Sequence, residues 1–226
     1  MRVCSLCGAP INEATLHCSR FPICRYIAKD ESVDDGKNYI VFDLETTGLS
    51  RDKDRIIEIG AVKVQDDEII DRFSMLVNPG TDEMGNAIYI PPNIVDLTGI
   101  DYEMVRNQPV EQDAVRQFLE WTKGYTCFAG QNIKTFDIPF MKAAAKRAHM
   151  SLNVESFMDT MLAAKRMDLK GKHLVDNYQQ PTLAKHYNFT YNAHRAVDDC
   201  EACFRILLGL KKEGLNYGIK IVPEKL

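Results

Sequence analysis

Two acids separated by one residue, Asp43 and Glu45, close the apolar run Tyr39-Ile40-Val41-Phe42. Four β-prone apolar residues in a row predict a buried strand, and side chains two apart on a strand share a face. Asp43 and Glu45 are therefore expected side by side at the strand end, with Gly48 breaking the strand just after them. Carboxylates held that close repel unless a cation lies between them or one takes up a proton. The same spacing also fits two solvated acids at a strand end. Asp137, at the head of a predicted helix, and His194 and Asp199, around the start of another, are further candidates. Taken singly, each is equally well explained as a cap or as an acid favoured by the helix dipole.

A second chemical pattern lies at the start of the chain. Cys4, Cys7, Cys18 and Cys24 are spaced C-x2-C-x10-C-x5-C, with Gly8 directly after the first pair. In a reducing compartment such a set binds metal in preference to forming disulfides, and four thiolates suit one tetrahedral, structural Zn2+. A segment this short cannot bury enough apolar surface to fold without such a staple. His17 could replace Cys18 as a ligand, and four unrelated thiols in a leader is the competing reading.

The elements that must position these residues follow from pattern. Residues 55–65 and 68–77 are β-rich runs around Asp66-Asp67, predicting a hairpin that continues the sheet although its turn lacks glycine. Residues 78–93 are rich in Pro and Gly and predict surface loop. A helix is expected over 110–123, with Val115, Phe118, Leu119 and Trp121 inward, and a short buried strand over 126–130. Alanine-rich 138–149, then 156–167 and 182–187, read as helical, and 195–212 as a long amphipathic helix. Cys127, Cys200 and Cys203 fall in these patterns as small hydrophobes.

Composition bounds the setting. The 226 residues are 45% hydrophobic and 27% charged, with a net charge of −4 and a pI near 5.8. That balance argues against holding nucleic acid by bulk positive charge, yet a carboxylate-rich site with bound divalent cations would produce the same numbers. No apolar run is long enough to span a membrane and the start lacks a signal-peptide core, so a cytoplasmic, reducing setting without membrane partners is expected. The domains are read as 1–29 (ribbon), 30–38 (acidic linker, around DESVDDGK), 39–212 (catalytic) and 213–226 (tail).

In order along the chain, Asp43-Leu44-Glu45-Thr46-Thr47-Gly48, then Asn132 with Phe136-Asp137, then His194-Arg195-Ala196-Val197-Asp198-Asp199 resemble the three motifs of the DEDDh exonucleases. Residues 90–100, IPPNIVDLTGI, resemble the proofreading branch of that family. Gln131 departs from the pattern, since many members have His there. The resemblance implies an α/β, ribonuclease-H-like fold with a mixed five-stranded sheet flanked by helices. It also implies an enzyme that removes nucleotides in the 3′-to-5′ direction from single-stranded DNA, with RNA possible. Asp43, Glu45, Asp137 and Asp199 would hold two Mg2+ or Mn2+ about 3.5–4 Å apart, and hard oxygen ligands select these ions over zinc. His194 would be the general base toward water. Asp198 competes with Asp199, and the H-x-A-x2-D spacing favours Asp199. By the same resemblance Thr46, Thr47, Leu49, Asn132 and Phe136 would hold the terminal nucleotide, although Leu49 and Phe136 also fit ordinary core positions.

Residues 18–26, CSRFPICRY, resemble the second knuckle of the four-cysteine zinc ribbons of bacterial type I DNA topoisomerases. That implies a module touching single-stranded DNA, with Phe21 and Tyr26 on bases and Arg20 and Arg25 on phosphates, or else aromatics that only pack the ribbon. A polymerase or repair partner is compatible with the pattern, as are RNA trimming and a non-catalytic nucleic-acid-binding adaptor.

Overall fold

The computed structural model describes residues 9, 10, 19, 36–82, 84–193 and 195–226. The chain divides into two units, Met1–Asp34 and Asp35–Leu226. In the first, the Ser19 N–H donates to the Pro10 carbonyl at 2.9 Å. The four cysteines expected to bind zinc, and the aromatic and arginine residues among them, lie outside the described residues.

The second unit is built around β1 (Asn38–Thr46), whose apolar start needs cover on both faces and receives it. β2 (Ile56–Gln65) pairs antiparallel with β1, and β3 (Glu68–Leu76) antiparallel with β2. The hairpin between them turns at Asp66 and Asp67, with φ of 51° and 61°. Asp tolerates this left-handed region better than most residues, which is how the turn forms without glycine. After the loop come α1 (Pro92–Thr98), α2 (Tyr102–Val105) and α3 (Glu111–Trp121). β4 (Cys127–Gly130) lies parallel to β1, α4 (Asp137–Arg147) follows, and β5 (Ser156–Asp159) lies parallel to β4. α5 (Thr160–Arg166), α6 (Gln180–His186) and α7 (Ala196–Asn216) lead to β6 (Glu224–Lys225), antiparallel to β5. The sheet order is β3-β2-β1-β4-β5-β6.

Strand alternation divides the core in two. Ile40, Phe42 and Leu44 face α3 and α4 and pack with Phe118, Phe140 and Met141. Tyr39 and Val41 face α7 and pack with Cys200, Cys203 and Leu207, so the three cysteines of this unit do serve as buried small hydrophobes. Asp43 and Glu45 continue the α7 face.

Three expectations need correction. The mixed sheet has six strands instead of five, because residues read as a tail continue α7 to Asn216 and then supply β6. Residues 156–159, read as the start of a helix, form β5: Phe157 and Met158 point into opposite cores, as a strand requires, and Asp159 then caps α5 by accepting the Leu162 N–H at 3.1 Å. The loop expected over residues 78–93 gives way to α1 at Pro92, which uses proline in its first turn, and α2 follows in residues for which no element was expected. Among the described residues no helix is long and apolar enough to cross a membrane.

Candidate active site

The site forms where β1 ends and two helices begin. Asp43 and Glu45 project from one face of β1, and each of Asp43, Glu45 and Asp199 offers a carboxylate oxygen within 4.8 Å of the others. Asp199 reaches them from the first turn of α7, and Asp198, also in that turn, does not line the hollow. Asp137, only 2% exposed at the start of α4, comes in beside β1, where its Oδ1 accepts the Leu44 N–H at 3.2 Å. That bond ties α4 to the residue between the two β1 acids. All four acids line a hollow of about 250 Å3 together with Gln131, Asn132, Phe136, Gln180 and Tyr191. His194 lies outside the described residues.

The electrostatics are those of buried carboxyl groups crowded together. Burial, then the carboxylates of Asp137, Asp199, Glu45 and Glu58, hold the Asp43 carboxyl well above its ordinary range. Glu45 is pushed up to about 7 by burial and then by Asp199 and Glu58. Asp137 is pushed up to about 8, burial outweighing the hydrogen bonds from backbone N–H groups that pull it down. Oxygen-only donors this close, with protons retained in the absence of a cation, fit hard divalent ions such as Mg2+ or Mn2+.

The surrounding loops are held by their own polar groups. Asn132 sits at φ 58°, and Asp159 pins its loop by accepting the N–H groups of Asn132 and Lys134 at 3.3 and 3.4 Å. Gln131 accepts from the Thr160 hydroxyl and donates to the Tyr178 carbonyl at 2.7 Å, so this departure from the motif pattern joins two segments of the wall. Thr46 and Thr47 are buried, with hydroxyls committed locally: Thr46 donates to the Gly48 carbonyl at 2.7 Å, and Thr47 donates to Asp54 and accepts from the Arg55 N–H. Leu49 is 85% exposed and therefore no core residue. It lines a second hollow of about 230 Å3 with Arg51, Thr135 and Phe136, and Phe136 borders both hollows. Behind this loop, the carboxylate of Glu111 binds the Arg147 guanidinium in two bonds of 2.7 and 2.8 Å and accepts the Ile56 N–H at 3.1 Å. Arg147 also donates to the Arg51 carbonyl at 2.8 Å.

Sequence reasoning missed Gln180. Its buried amide nitrogen donates to Asp199 Oδ1 at 2.9 Å, to the Asp199 carbonyl at 3.0 Å and to the Tyr191 hydroxyl at 3.1 Å. Nothing in the local pattern distinguishes Gln180 from any other first-turn residue of a short helix.

The fold is thus a six-stranded mixed sheet with helices on both faces that carries clustered acids at the end of its central strand. Residues 40–207 match the family model described as Exonuclease (RNase_T), and the chain belongs to this exonuclease family. It is 38% identical over 190 residues to DNA polymerase III PolC-type of Caldanaerobacter subterraneus subsp. tengcongensis, covering 82% of this chain and 12% of that protein. Against DNA polymerase III PolC-type of Clostridium perfringens it is 37% identical over 203 residues, covering 87% and 13%. The chain thus spans about an eighth of the length of these relatives. Among solved structures, the fold resembles E. coli exonuclease I in its zinc-bound complex with single-stranded DNA, at a TM-score of 0.69 and 19% identity, over 80% of this chain and 42% of that one. It also resembles exonuclease X in complex with 5′-overhanging duplex DNA, at a TM-score of 0.58 and 23% identity, over 77% and 92%.

Proposed function

We propose that residues 39–212, extended by the end of α7 and β6, form a metal-dependent 3′-to-5′ exonuclease of the DEDDh type that releases nucleoside monophosphates from single-stranded DNA ends. The observation that carries this reading is the approach of the Asp43, Glu45 and Asp199 oxygens to within 4.8 Å of one another. The similarity to PolC-type polymerases favours DNA as substrate and a polymerase or repair system as partner.

Asp43, Glu45, Asp137 and Asp199 would hold two divalent ions, which when bound would supply electrostatic stabilisation of the charge that builds on the phosphoryl oxygens. His194 accepts the proton of the attacking water, a role suited to an imidazole whose ordinary pKa is near neutral. The leaving group is the 3′-hydroxyl of the shortened strand. Asn132 and Phe136, at the wall of the hollow, orient the terminal nucleotide, and exposed Leu49 presses against its base from the neighbouring hollow. Thr46 and Thr47 contribute through the loop their hydroxyls stabilise and, at the substrate, through their backbone.

The N-terminal segment 1–29 is assigned to a ribbon in which Cys4, Cys7, Cys18 and Cys24 bind one structural Zn2+ and Phe21, Tyr26, Arg20 and Arg25 meet the strand, with 30–38 as linker. Metal analysis of the full chain and of a form lacking residues 1–37 tests the ribbon. Hydrolysis of 3′- and 5′-labelled DNA and RNA oligonucleotides, with Mg2+ and with EDTA, tests the catalytic reading. Mononucleotide release from the 3′ end of DNA that stops in EDTA is expected. Equal or faster RNA cleavage would move the substrate to RNA, and no cleavage with Mg2+ would make the chain a binding adaptor.

A further inference from the structure

Glu58 lies on β2, directly opposite Glu45 in the antiparallel register, and its side chain projects to the α7 face. It is 0% exposed. A carboxylate so deeply buried is costly unless its oxygens are matched by donors. Its carboxylate meets the start of α7 at both oxygens: the Ala196 N–H donates to Oε2 at 3.2 Å, and the Arg195 guanidinium lies 3.4 Å from Oε1.

Ala196 is the first residue of α7, and its N–H is one of the donors a helix start leaves without an intrahelical acceptor. Caps usually come from the residue just before the helix. Here Arg195 occupies that place and supplies no side-chain cap, so β2 supplies the acceptor from across the sheet. Two residues along β2, Gly60 completes the seat. A Cβ there would stand 2.2 Å from the Ala196 carbonyl carbon and 2.3 Å from the Val197 nitrogen, so the first turn of α7 rests on bare strand. Gly60 is paired with Asp43, which places this contact beside the acids. Asp199 follows within the same turn, its N–H donating to the Arg195 carbonyl at 2.9 Å, so any rotation or lift of Ala196 carries Asp199 with it. A metal-ligating constellation must be held within about 0.5 Å of its productive geometry.

We propose that Glu58 is a positioning residue, a cap supplied by the sheet that seats the first turn of α7 so that Asp199 meets Asp43 and Glu45. This rests on the reading of those acids as the metal site of an exonuclease.

Three variants test it in the full chain: Glu58→Leu, which keeps the volume and removes the acceptor; Glu58→Gln, whose amide oxygen can still accept the Ala196 N–H; and Ala196→Pro. Proline is tolerated at a first helical position, and Arg195, at φ −125° and ψ 112°, has the extended backbone that precedes proline well. The ring removes the donor and, with its Cδ where the amide hydrogen faced Oε2, also pushes the first turn off its cap. Each is measured for oligonucleotide turnover across Mg2+ concentrations, for Mn2+ binding by calorimetry and for thermal melting. Glu58→Leu and Ala196→Pro are expected to lower kcat about 10- to 100-fold and to weaken Mn2+ binding about tenfold, with KM for the oligonucleotide changed less than about threefold. Glu58→Gln is expected to restore kcat and Mn2+ affinity to within about threefold of the parent. Should Glu58→Leu fail to fold, Ala196→Pro and Glu58→Gln decide alone. Lowered melting with unchanged kcat and Mn2+ affinity would overturn the proposal, leaving Glu58 a purely structural residue. Glu58→Gln as damaging as Ala196→Pro would overturn it too, since charge and not the cap would then carry the effect. A parent protein that binds Mn2+ yet cleaves nothing would refute the exonuclease reading, while the Mn2+ affinities of the variants still judge Glu58.

Discussion

Two groups of buried acid in this domain are built on opposite terms. Glu111, at the start of α3, is matched by the chain itself: two bonds from Arg147, the Ile56 N–H, and Arg55 at 3.9 Å. Asp43, Glu45, Asp137 and Asp199 meet mainly one another and a few backbone or amide donors, so Glu45 and Asp137 are pushed up to about 7 and about 8. An acid whose partners are built in ties elements together. Acids left with one another store repulsion that an added cation relieves. The difference teaches which cluster is meant to receive something from outside.

The comparison breaks most decisively at the cation-receiving end. Asp43→Ala should cut nuclease activity by several orders of magnitude at saturating Mg2+ while the metal-free fold melts no lower than the parent, because one of the repelling charges is gone. Rates on a labelled oligonucleotide and a thermal melt in EDTA check both halves, and near-normal activity would sink the site assignment.

Next in size, His194→Ala should slow turnover about a hundredfold to ten-thousandfold with little change in the Mg2+ concentration needed, since the imidazole acts on water and is no ligand. Asp199→Ala should raise that concentration as well. Loss of function in Asp198→Ala equal to that in Asp199→Ala would show the third motif to be misaligned.

At the self-compensated end the pattern reverses. Arg147→Met leaves Glu111 buried without its main partner and should cost about 3 kcal/mol of stability, measured by urea unfolding, with activity per folded molecule largely kept. A large kcat effect without destabilisation would mean that the loop from Thr47 to Arg55 is tuned by Arg147 for substrate.

The acids also impose a pH slope. Glu45 and Asp137 retain protons in the fold at pH values where an unfolded chain has released them, so their stabilising contribution is fully present below about pH 4 and is lost as pH rises through about 7 to 8. Melting in EDTA should therefore fall across that window, and saturating Mg2+ should flatten the slope. An EDTA profile already flat from pH 5 to 8 would show that the acids are better solvated than their burial implies.

How much of this was legible depends on how far each signal travels along the chain. That Asp43 and Glu45 share a strand face was legible because strand alternation is a local rule, and the spacing of the third motif favoured Asp199 over Asp198, of which Asp199 stands beside the β1 acids. Glu58 was invisible: inside IIEIGAV it reads as the polar member of an alternating strand, and only the docking of α7 onto Gly60 buries it. Gln180 was missed for the same reason, since its partner Asp199 is distant in sequence and adjacent only in the fold. β5 was absorbed into the helix that follows it, as short apolar runs fit either period.

The two residues of β6 bear on how this molecule behaves in company. β5 is buried along its whole length, and without a neighbour its outer backbone groups would be an open template for another chain. Glu224 and Lys225 fill that position with a strand too short and too charged to recruit a further one. The pair of Arg166 with Glu224 at 2.6 Å, and the Leu226 N–H donating to the Glu155 carbonyl at 3.2 Å, fasten it there. Residues 224–226 thus act as a selvedge along this edge of the sheet, and removing them is expected to leave β5 open to edge-to-edge association.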